Sequence, residues 1–262
     1  MSQVLAPRAV VVRPQLDTRW LRVAAGAMLL ALLFVRFGAG PFVAGLRAAG
    51  PWSVAAALAL TALTTYCCAL RWTLVTERLG EPLGLAAAYA AYYRSQVLNA
   101  TLPGGVVGDV YRGARHGWRA VIWERGVGQL VQLSLIGALA LPGHWRWAGL
   151  AALCGLVAAG GLIAVLSALS TTGHLLVFLV AAHAVGVPLS TGSLVAVGAL
   201  VLLGASIPLN VAGWGPREGV AAWAFAAAGS TAATGLAVAV TFGVISTLAT
   251  LPGLALLGRR DD

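Results

Sequence analysis

The sequence contains several apolar runs that reach the length needed to cross a lipid bilayer. A spanning helix requires about 20 predominantly apolar residues, because hydrocarbon offers no partner to an exposed backbone N–H or C=O group. The runs cover residues 20–40, 53–75, 120–141, 147–168, 173–188 and 232–257. We therefore predict an all-α integral membrane protein with about six full transmembrane helices.

The content of charged residues is too low for a soluble protein of this length. Charged residues make up 10% and hydrophobic residues 60% of the 262 positions, whereas a typical soluble domain carries about 25% charged residues. All 17 basic residues behind the net charge of +9 are arginines, scattered between apolar runs without an aromatic-flanked basic patch. We expect contact with anionic lipid headgroups and no nucleic acid binding. The absence of lysine, with abundant Ala, Gly, Val and Leu, indicates a GC-rich bacterial genome.

Two further apolar regions are interrupted. The first covers 83–102 and meets Pro103-Gly104-Gly105, and the second covers 193–207 and is broken by Gly213-Trp214-Gly215-Pro216 before it resumes at 218–228. Irregular backbone at membrane depth persists only inside protein or beside a water-filled cavity. We therefore predict two re-entrant helical hairpins around a polar interior, and about eight hydrophobic segments in total. The alternative is two kinked helices whose glycines allow close packing.

Arginines near the membrane surfaces predict the orientation, because short cytoplasmic loops are enriched in Lys and Arg. Segments 1–19 and 258–262 both carry arginines, which places both termini in the cytoplasm. A first hairpin that enters from the cytoplasmic side keeps Arg112 and Arg115 inside, and the second hairpin then enters from the exterior. We predict a cytoplasmic polar N-terminal segment, a single polytopic domain over 20–257 in the cell membrane, and a short cytoplasmic tail.

The two interruptions resemble each other. Each has an asparagine (Asn99 or Asn210), then a glycine-rich break, then an acidic residue and an arginine. Transporters use opposed repeats of this kind to build a midplane site from helix ends. An inverted repeat and a chance similarity between two Gly/Pro breaks both remain open.

Charged residues accompany both interruptions. Asp109 and Arg112 are three residues apart, so they share a helix face and can form an ion pair. Arg217 and Glu218 are adjacent and point about 100° apart on a helix, so we expect crosswise pairing between the two hairpins. Charges in membrane segments are costly and often functional. The alternative is a set of ion pairs that only fastens the breaks.

Polar side chains at helical spacing lead towards the first break and continue on the next helix. They are Tyr89, Tyr92, Gln96 and Asn99, followed by Glu124, Arg125, Gln129 and Gln132. Arginine presents five donors and suits phosphate, so a cleft edged by several arginines could hold a lipid phosphate. The alternative is hydrogen bonding that only joins helices. The candidate substrate-binding residues are Arg94, Gln96, Asn99, Pro103, Gly104, Gly105, Asp109, Arg112, Glu124, Arg125, Asn210, Gly213, Gly215, Arg217 and Glu218.

Residue patterns typical of metal sites and hydrolases are missing from the sequence. Cys67, Cys68 and Cys154 lie in apolar runs, and the histidines form no ligand pair on a helix face. There is no His-Glu-x-x-His sequence and no Gly-x-Ser-x-Gly sequence. We expect no cofactor, no metal and no catalytic residues. Acid–base catalysis by Glu124 or Glu218 remains the enzymatic alternative.

The segment 93–112 resembles the family named for the lysylphosphatidylglycerol synthase transmembrane region. It has that family's asparagine, Leu-Pro-Gly run, Gly-Asp pair and arginine, although Val107 stands where a further glycine is usual. Trp123-Glu124-Arg125-Gly126 resembles the Glu-Arg pair that follows in the family, and 208–219 resembles its later Pro, Gly-x-Gly and Arg-Glu element. Arg71-Trp72 is similar to the end of its second helix.

The resemblance implies a bundle of eight segments with re-entrant parts that moves a lipid between leaflets. In the best-understood members this region moves an aminoacylated phospholipid, and other members accompany envelope glycolipid assembly. No segment resembles the family's soluble aminoacyltransferase domain, so we expect no lipid aminoacylation. The leading hypothesis is a flippase-like translocator of a phospholipid or lipid-linked saccharide. The alternatives are a non-transporting partner of envelope biosynthetic enzymes and an integral-membrane enzyme; the oligomeric state stays open.

Overall fold

All regular elements in the described part of the chain are helices. A computed structural model describes residues 18–102, 105–207, 209, 211 and 213–257, so most of the predicted N-terminal segment and the tail 258–262 lie outside the described residues. The helices are α1 (Thr18–Phe37), α2 (Gly40–Ala48), α3 (Pro51–Arg78), α4 (Leu85–Thr101), α5 (Val107–His116), α6 (Trp118–Ala140), α7 (His144–Gly160), α8 (Leu162–Val185), α9 (Thr191–Ala205), α10 (Pro216–Ala227), α11 (Ala232–Thr250) and a 3-10 helix (Leu251–Leu256).

Among the described residues, three helices are long and apolar enough to cross a membrane. They are Pro51–Arg78, Leu162–Val185 and Ala232–Leu256. A fourth span results if Val23–Phe37 and Gly40–Ala48 are counted together, although they are bent by 103° at Gly38. Helix α6 has 23 residues, but the charged and amide residues of its first half lower its apolar character. The chain is therefore a multi-pass helical membrane protein, and the predicted number of six crossings stays a prediction.

Two predicted helix boundaries were wrong. The runs 147–168 and 173–188 are divided elsewhere: α7 ends at Gly160 and α8 continues unbroken from Leu162 to Val185. Gly161 joins them with a positive φ of 53°, a conformation that glycine adopts without strain. Hydropathy missed this boundary because both sides of Gly161 are equally apolar. The predicted span 20–40 likewise ends early, at Phe37, where the chain turns into α2.

Both predicted interruptions of helix are present. Helix α4 ends at Thr101 and α5 begins at Val107, while α9 ends at Ala205 and α10 begins at Pro216. Glycines with positive φ lie in each break, Gly105 at 61° and Gly213 at 82°. In the second break the backbone closes a tight turn, since Val211 and Trp214 exchange two backbone hydrogen bonds of 2.9 and 3.0 Å. The entry side of each hairpin in a membrane stays a prediction.

Helix α5 packs back directly onto α4. A Cβ added at Gly108 would overlap the backbone carbonyl of Ser95, and the Gly108 N–H donates to Asn99 Oδ1 at 2.7 Å. Close approach of backbones at small residues is the usual basis of helix association in membranes. Gly108 therefore allows the first hairpin to close.

We predict that Gly108→Ala destabilises the protein by about 1 to 3 kcal/mol, because the new methyl group must push α5 away from α4. Equilibrium unfolding of the purified protein in mixed micelles measures this change. Gly155→Ala is the matched control, because a Cβ at this exposed α7 position meets nothing within 4 Å. Equal stabilities of the two variants would show that α4 and α5 do not pack closely.

An apolar core joins the helices on which the polar residues lie. Phe178 of α8 packs against Phe242 of α11, with ring centroids 5.9 Å apart and an interplanar angle of 77°. Gly173 of α8 lies against the methyl group of Thr64 in α3. These contacts fix α3, α8 and α11 relative to each other. All three helices line a cavity that also borders both interruptions.

Candidate functional site

A cavity of about 390 Å³ lies where the two interruptions meet. Gly105 of the first break and Gly213 of the second both line it. Its walls come from α3, α4, α5, α6, α8, α9 and α11, and most of the side chains in them are polar. Polar side chains therefore surround the point at which the two interruptions approach each other, while the re-entrant hairpins themselves stay a prediction.

Glu124 is the centre of a buried ion cluster in the cavity wall. Its side chain is fully buried, and it forms ion pairs with Arg71 and with Arg112, the latter at 3.3 Å. The Tyr92 hydroxyl donates to Glu124 Oε1 at 2.6 Å. Arg112 also lies over the Tyr92 ring, with its guanidinium carbon 4.0 Å from the centroid. Helices α3, α4, α5 and α6 are thus joined by one carboxylate.

Asp109 forms the second part of the same cluster. Arg112 Nη2 donates to Asp109 Oδ1 at 2.8 Å, so the predicted ion pair is confirmed. Asp109 Oδ2 accepts from Arg125 and, at 3.2 Å, from Asn99. Asn99 of α4 therefore holds the first turn of α5 through two hydrogen bonds, because its Oδ1 also accepts the Gly108 N–H.

Arg71 belongs to this site, although the predicted site residues did not include it. Its Nη1 donates to Ser167 at 2.9 Å and its Nη2 to Tyr92 at 3.2 Å, in addition to the pair with Glu124. The side chain is only 8% exposed. A charged residue inside a predicted apolar span was the signal that could have identified it.

The predicted site residues fall into three groups. Pro103, Gly104 and Asn210 lie outside the described residues. Arg94, Gly215, Arg217 and Glu218 do not line the cavity. The residues that do line it are Gln96, Asn99, Gly105, Asp109, Arg112, Glu124, Arg125 and Gly213.

The expected crosswise pairing between the hairpins was wrong. Arg217 pairs with its neighbour Glu218, with an Nε to Oε1 distance of 2.8 Å, and Glu218 Oε2 accepts the Gly215 N–H at 2.6 Å. Both charged side chains are at most 9% exposed. The reason is local: Glu218 lies in the first turn of α10 and folds back to cap it, which leaves Arg217 free to reach the same carboxylate. This pair fastens the second break independently of the first.

Arg94 does not line the cavity, contrary to the prediction from the sequence. It is buried, but its Nε donates to the Leu256 carbonyl at 2.6 Å and its Nη1 to the Tyr111 hydroxyl at 3.3 Å. It therefore joins α4 to the 3-10 helix and to α5. Arg94 is two residues from Gln96 in α4, so the two side chains point about 200° apart, and Arg94 faces the 3-10 helix that follows α11.

The glutamines of α4 and α6 join helices and also line the cavity. Thr65 donates to Gln96 Oε1 at 3.0 Å, and Gln132 Nε2 donates to Ser206 at 2.9 Å beside the second break. Gln96, Gln129 and Gln132 all face the cavity. Both interpretations of these glutamines therefore apply: they form interhelical contacts and they provide a polar lining.

The ion cluster around Glu124 and Asp109 shares no residue with the ion pair between Arg217 and Glu218, which leads to a testable prediction. Asp109→Asn and Arg112→Gln together should deviate from additivity by about 0.5 to 3 kcal/mol in unfolding free energy, because the two side chains are in direct contact. Asp109→Asn and Arg217→Gln should be additive to within about 0.5 kcal/mol, because they share no partner. A double-mutant cycle by equilibrium unfolding measures both quantities. A large coupling energy between Asp109 and Arg217 in the second cycle would support crosswise pairing between the hairpins.

The described residues contain no group of three or more His, Cys, Asp or Glu side chains that could hold a metal ion. Cys67 and Cys68 are buried, Cys154 is exposed, and all three are free thiols. The cavity therefore offers its polar atoms as arginine guanidinium groups, carboxylates, hydroxyls and amides. Such a lining suits a polar or charged organic group.

Comparison with known proteins gives one family match. The family model described as "Lysylphosphatidylglycerol synthase TM region" matches residues 19–172, which is more than half of the chain. The matched range contains the first break and, among the described residues, all five charged residues that line the cavity, and it ends before the second break. No curated protein and no solved structure matches the chain.

Proposed function

Because this chain belongs to the lysylphosphatidylglycerol synthase TM region family, we propose that it moves the polar headgroup of a membrane lipid between the two leaflets through the described cavity. The observation that carries this proposal is the position of the cavity, where two interrupted helices meet around a cluster of charged side chains. Interrupted backbone and buried charge are both costly inside a bilayer. A path for a polar group accounts for both at once.

The size of the cavity supports a headgroup as its occupant. Its volume of about 390 Å³ lies near the lower end of ligand pockets, which are roughly 300 to 1,000 Å³. A headgroup fits this space, while two acyl chains do not. The acyl chains would remain in the bilayer, so only the polar group needs the protein to replace its lost hydration.

The arginines support a phosphate-bearing headgroup. Guanidinium groups bind phosphate oxygens through paired hydrogen bonds. Arg125 is 53% exposed and lies at the edge of the buried cluster, so a phosphate can reach it without the cluster opening. Arg71 and Arg112 lie deeper and are already held by carboxylates. In this proposal Arg125 receives the headgroup, while Arg71 and Arg112 stay paired with Glu124.

Translocation is tested with the full chain in proteoliposomes that contain a fluorescent headgroup-labelled phospholipid. A membrane-impermeant reductant destroys only the label in the outer leaflet, so continued loss of fluorescence measures movement from the inner leaflet. We expect the protein to accelerate this loss over protein-free vesicles. Mass spectrometry of the recovered lipid separates the enzymatic alternative, because a translocator leaves the lipid covalently unchanged. An unaccelerated rate for every labelled lipid would overturn the proposal.

A variant that fills the cavity provides a sharper test. Ser246 of α11 lines the cavity, and Ser246→Trp places an indole in it without a change of charge. We expect the translocation rate to fall about tenfold or more, which corresponds to at least about 1.4 kcal/mol in the barrier. Ala152→Trp on the exposed face of α7 is the control and should translocate at the original rate. Unchanged transport by a folded Ser246→Trp protein would place the pathway elsewhere.

A further inference from the structure

The charges that line the cavity do not balance. Among the described residues, Arg71, Arg112 and Arg125 face Asp109 and Glu124, so three positive groups oppose two negative groups and leave a surplus of one positive charge. The acidic residues Glu77, Glu81 and Glu218 do not line it. A low-dielectric wall strengthens the effect of one unbalanced charge. The cavity is therefore electrostatically suited to an anion.

Both carboxylates are already occupied. A carboxylate has about four acceptor positions, and Glu124 accepts from Arg71, from Tyr92 and from both terminal nitrogens of Arg112. Asp109 accepts from Arg112, Arg125 and Asn99. An ammonium group that displaced Arg71 or Arg112 from Glu124 would leave a buried arginine without its counterion. At Asp109 it would be repelled by the two arginines that already pair with this carboxylate.

Arg125 is the cation best placed to receive an anion. In the described part of the chain its one hydrogen-bond partner is Asp109, which it contacts through Nη2, while its side chain is 53% exposed. A guanidinium group has five N–H donors. Most of these donors therefore stay available to an incoming phosphate while the pair with Asp109 persists.

The remaining lining is uncharged and rich in hydroxyl and amide groups. Thr61, Ser95, Gln96, Gln129, Ser170 and Thr171 are examples. These groups can both donate and accept hydrogen bonds. They match the hydroxyls of a glycerol or sugar unit, and they provide no counter-charge for an amine.

We infer that the cavity selects an anionic, hydroxyl-rich phosphodiester headgroup and discriminates against headgroups that carry an ammonium group. This inference rests on the proposed function and names the class of lipid. Arg125 supplies the surplus charge that the phosphate neutralises. The surplus positive charge and the arginines that already pair with both carboxylates provide the discrimination, because an amine is repelled there and must compete with an arginine for a counter-charge.

Binding and translocation are measured separately, so that each proposal has its own test. Isothermal titration of the purified full chain in neutral detergent uses dihexanoyl forms of phosphatidylglycerol, phosphatidylethanolamine and lysylphosphatidylglycerol, with glycerol phosphate as the chain-free anion. We expect phosphatidylglycerol to bind about tenfold or more tightly than either amine-bearing lipid, as one charge-assisted hydrogen bond allows. Weaker binding of glycerol phosphate than of phosphatidylglycerol identifies a lipid headgroup as the ligand, and the reverse order identifies free phosphate and overturns the lipid assignment.

Variants of α6 test the role of Arg125 directly. Arg125→Gln should reduce the affinity for phosphatidylglycerol about tenfold and so remove most of the preference over the amine-bearing lipids, while Arg125→Lys should retain part of the preference. Arg119→Gln, exposed on the same helix and outside the cavity, should bind all lipids as the original protein does. Unaltered unfolding midpoints show that the variants are folded.

The outcomes distinguish the two proposals. Equal or tighter binding of lysylphosphatidylglycerol overturns the selectivity, even if the proteoliposomes translocate lipid. A preference for phosphatidylglycerol that depends on Arg125 supports the selectivity, even if no lipid is translocated; in that case the proposed transport fails and the headgroup site stands.

Discussion

Replacing Glu124 by glutamine lowers the free energy of unfolding by about 3 to 5 kcal/mol, because it leaves buried arginines without their counterion. The carboxylate is fully buried and pairs with Arg71 and Arg112, whose side chains are 8% and 1% exposed. Glutamine has nearly the same size, so the effect reports charge and not a cavity. Equilibrium unfolding in mixed micelles of detergent and dodecyl sulfate measures the change.

The control for this prediction is Glu77→Gln, at an exposed position near the end of α3. An exposed charge of this kind contributes about 0 to 1 kcal/mol, so we expect this variant to unfold at nearly the original denaturant fraction. If Glu124→Gln were as stable as Glu77→Gln, the two arginines would have to reach water or another anion. The four-helix cluster around Glu124 would then be disproved.

Replacing Glu218 by glutamine destabilises the second break, also by about 3 to 5 kcal/mol. Glu218 is fully buried and serves two groups at once, the guanidinium of Arg217 and the backbone N–H of Gly215. Its loss leaves Arg217 buried against the rings of Trp214 and Phe242, 5.1 and 5.4 Å from its guanidinium carbon, without its carboxylate partner. Equilibrium unfolding gives the size of the effect, and hydrogen exchange at 213–220 gives its location.

Hydrogen exchange separates this prediction from general destabilisation. We expect faster exchange at the start of α10 in Glu218→Gln under conditions in which α4 and α5 remain protected, because the two ion clusters share no residue. Glu124→Gln should show the opposite pattern. Equal acceleration at both breaks in either variant would contradict the independence of the clusters.

The buried charges and the half-exposed Arg125 have different roles in this protein. The buried charges fasten interrupted backbone: Asp109 and Glu124 hold the first hairpin, and Glu218 holds the second. This was the structural alternative considered from the sequence, and for Arg217 and Glu218 it describes the observed contacts. Arg125 differs from them because half of its side chain is exposed beside the cavity. Arg125 and the neutral lining are therefore better candidates for headgroup binding than the buried ion pairs.

The sequence alone determined the features that depend on local chemistry. Apolar runs identified a helical membrane protein, because hydrocarbon permits little else. Pro and Gly located both interruptions, since they disfavour continued helix, and the spacing of three residues identified the pair between Asp109 and Arg112. The residues around the first break also indicated the family that the later comparison matched.

Only the tertiary structure decided which distant helix faces meet. Arg71 and Glu124 are 53 residues apart in sequence, and no local pattern relates the face of α3 to that of α6. The same limit explains why Arg94 was assigned to the cavity and why Arg217 and Glu218 were assigned partners in the other hairpin. Helical periodicity fixes the direction of a side chain relative to its own axis. The partner of a buried charge depends instead on how the helices pack, and in this protein the packing is set by close contacts at small residues such as Gly108 and Gly173.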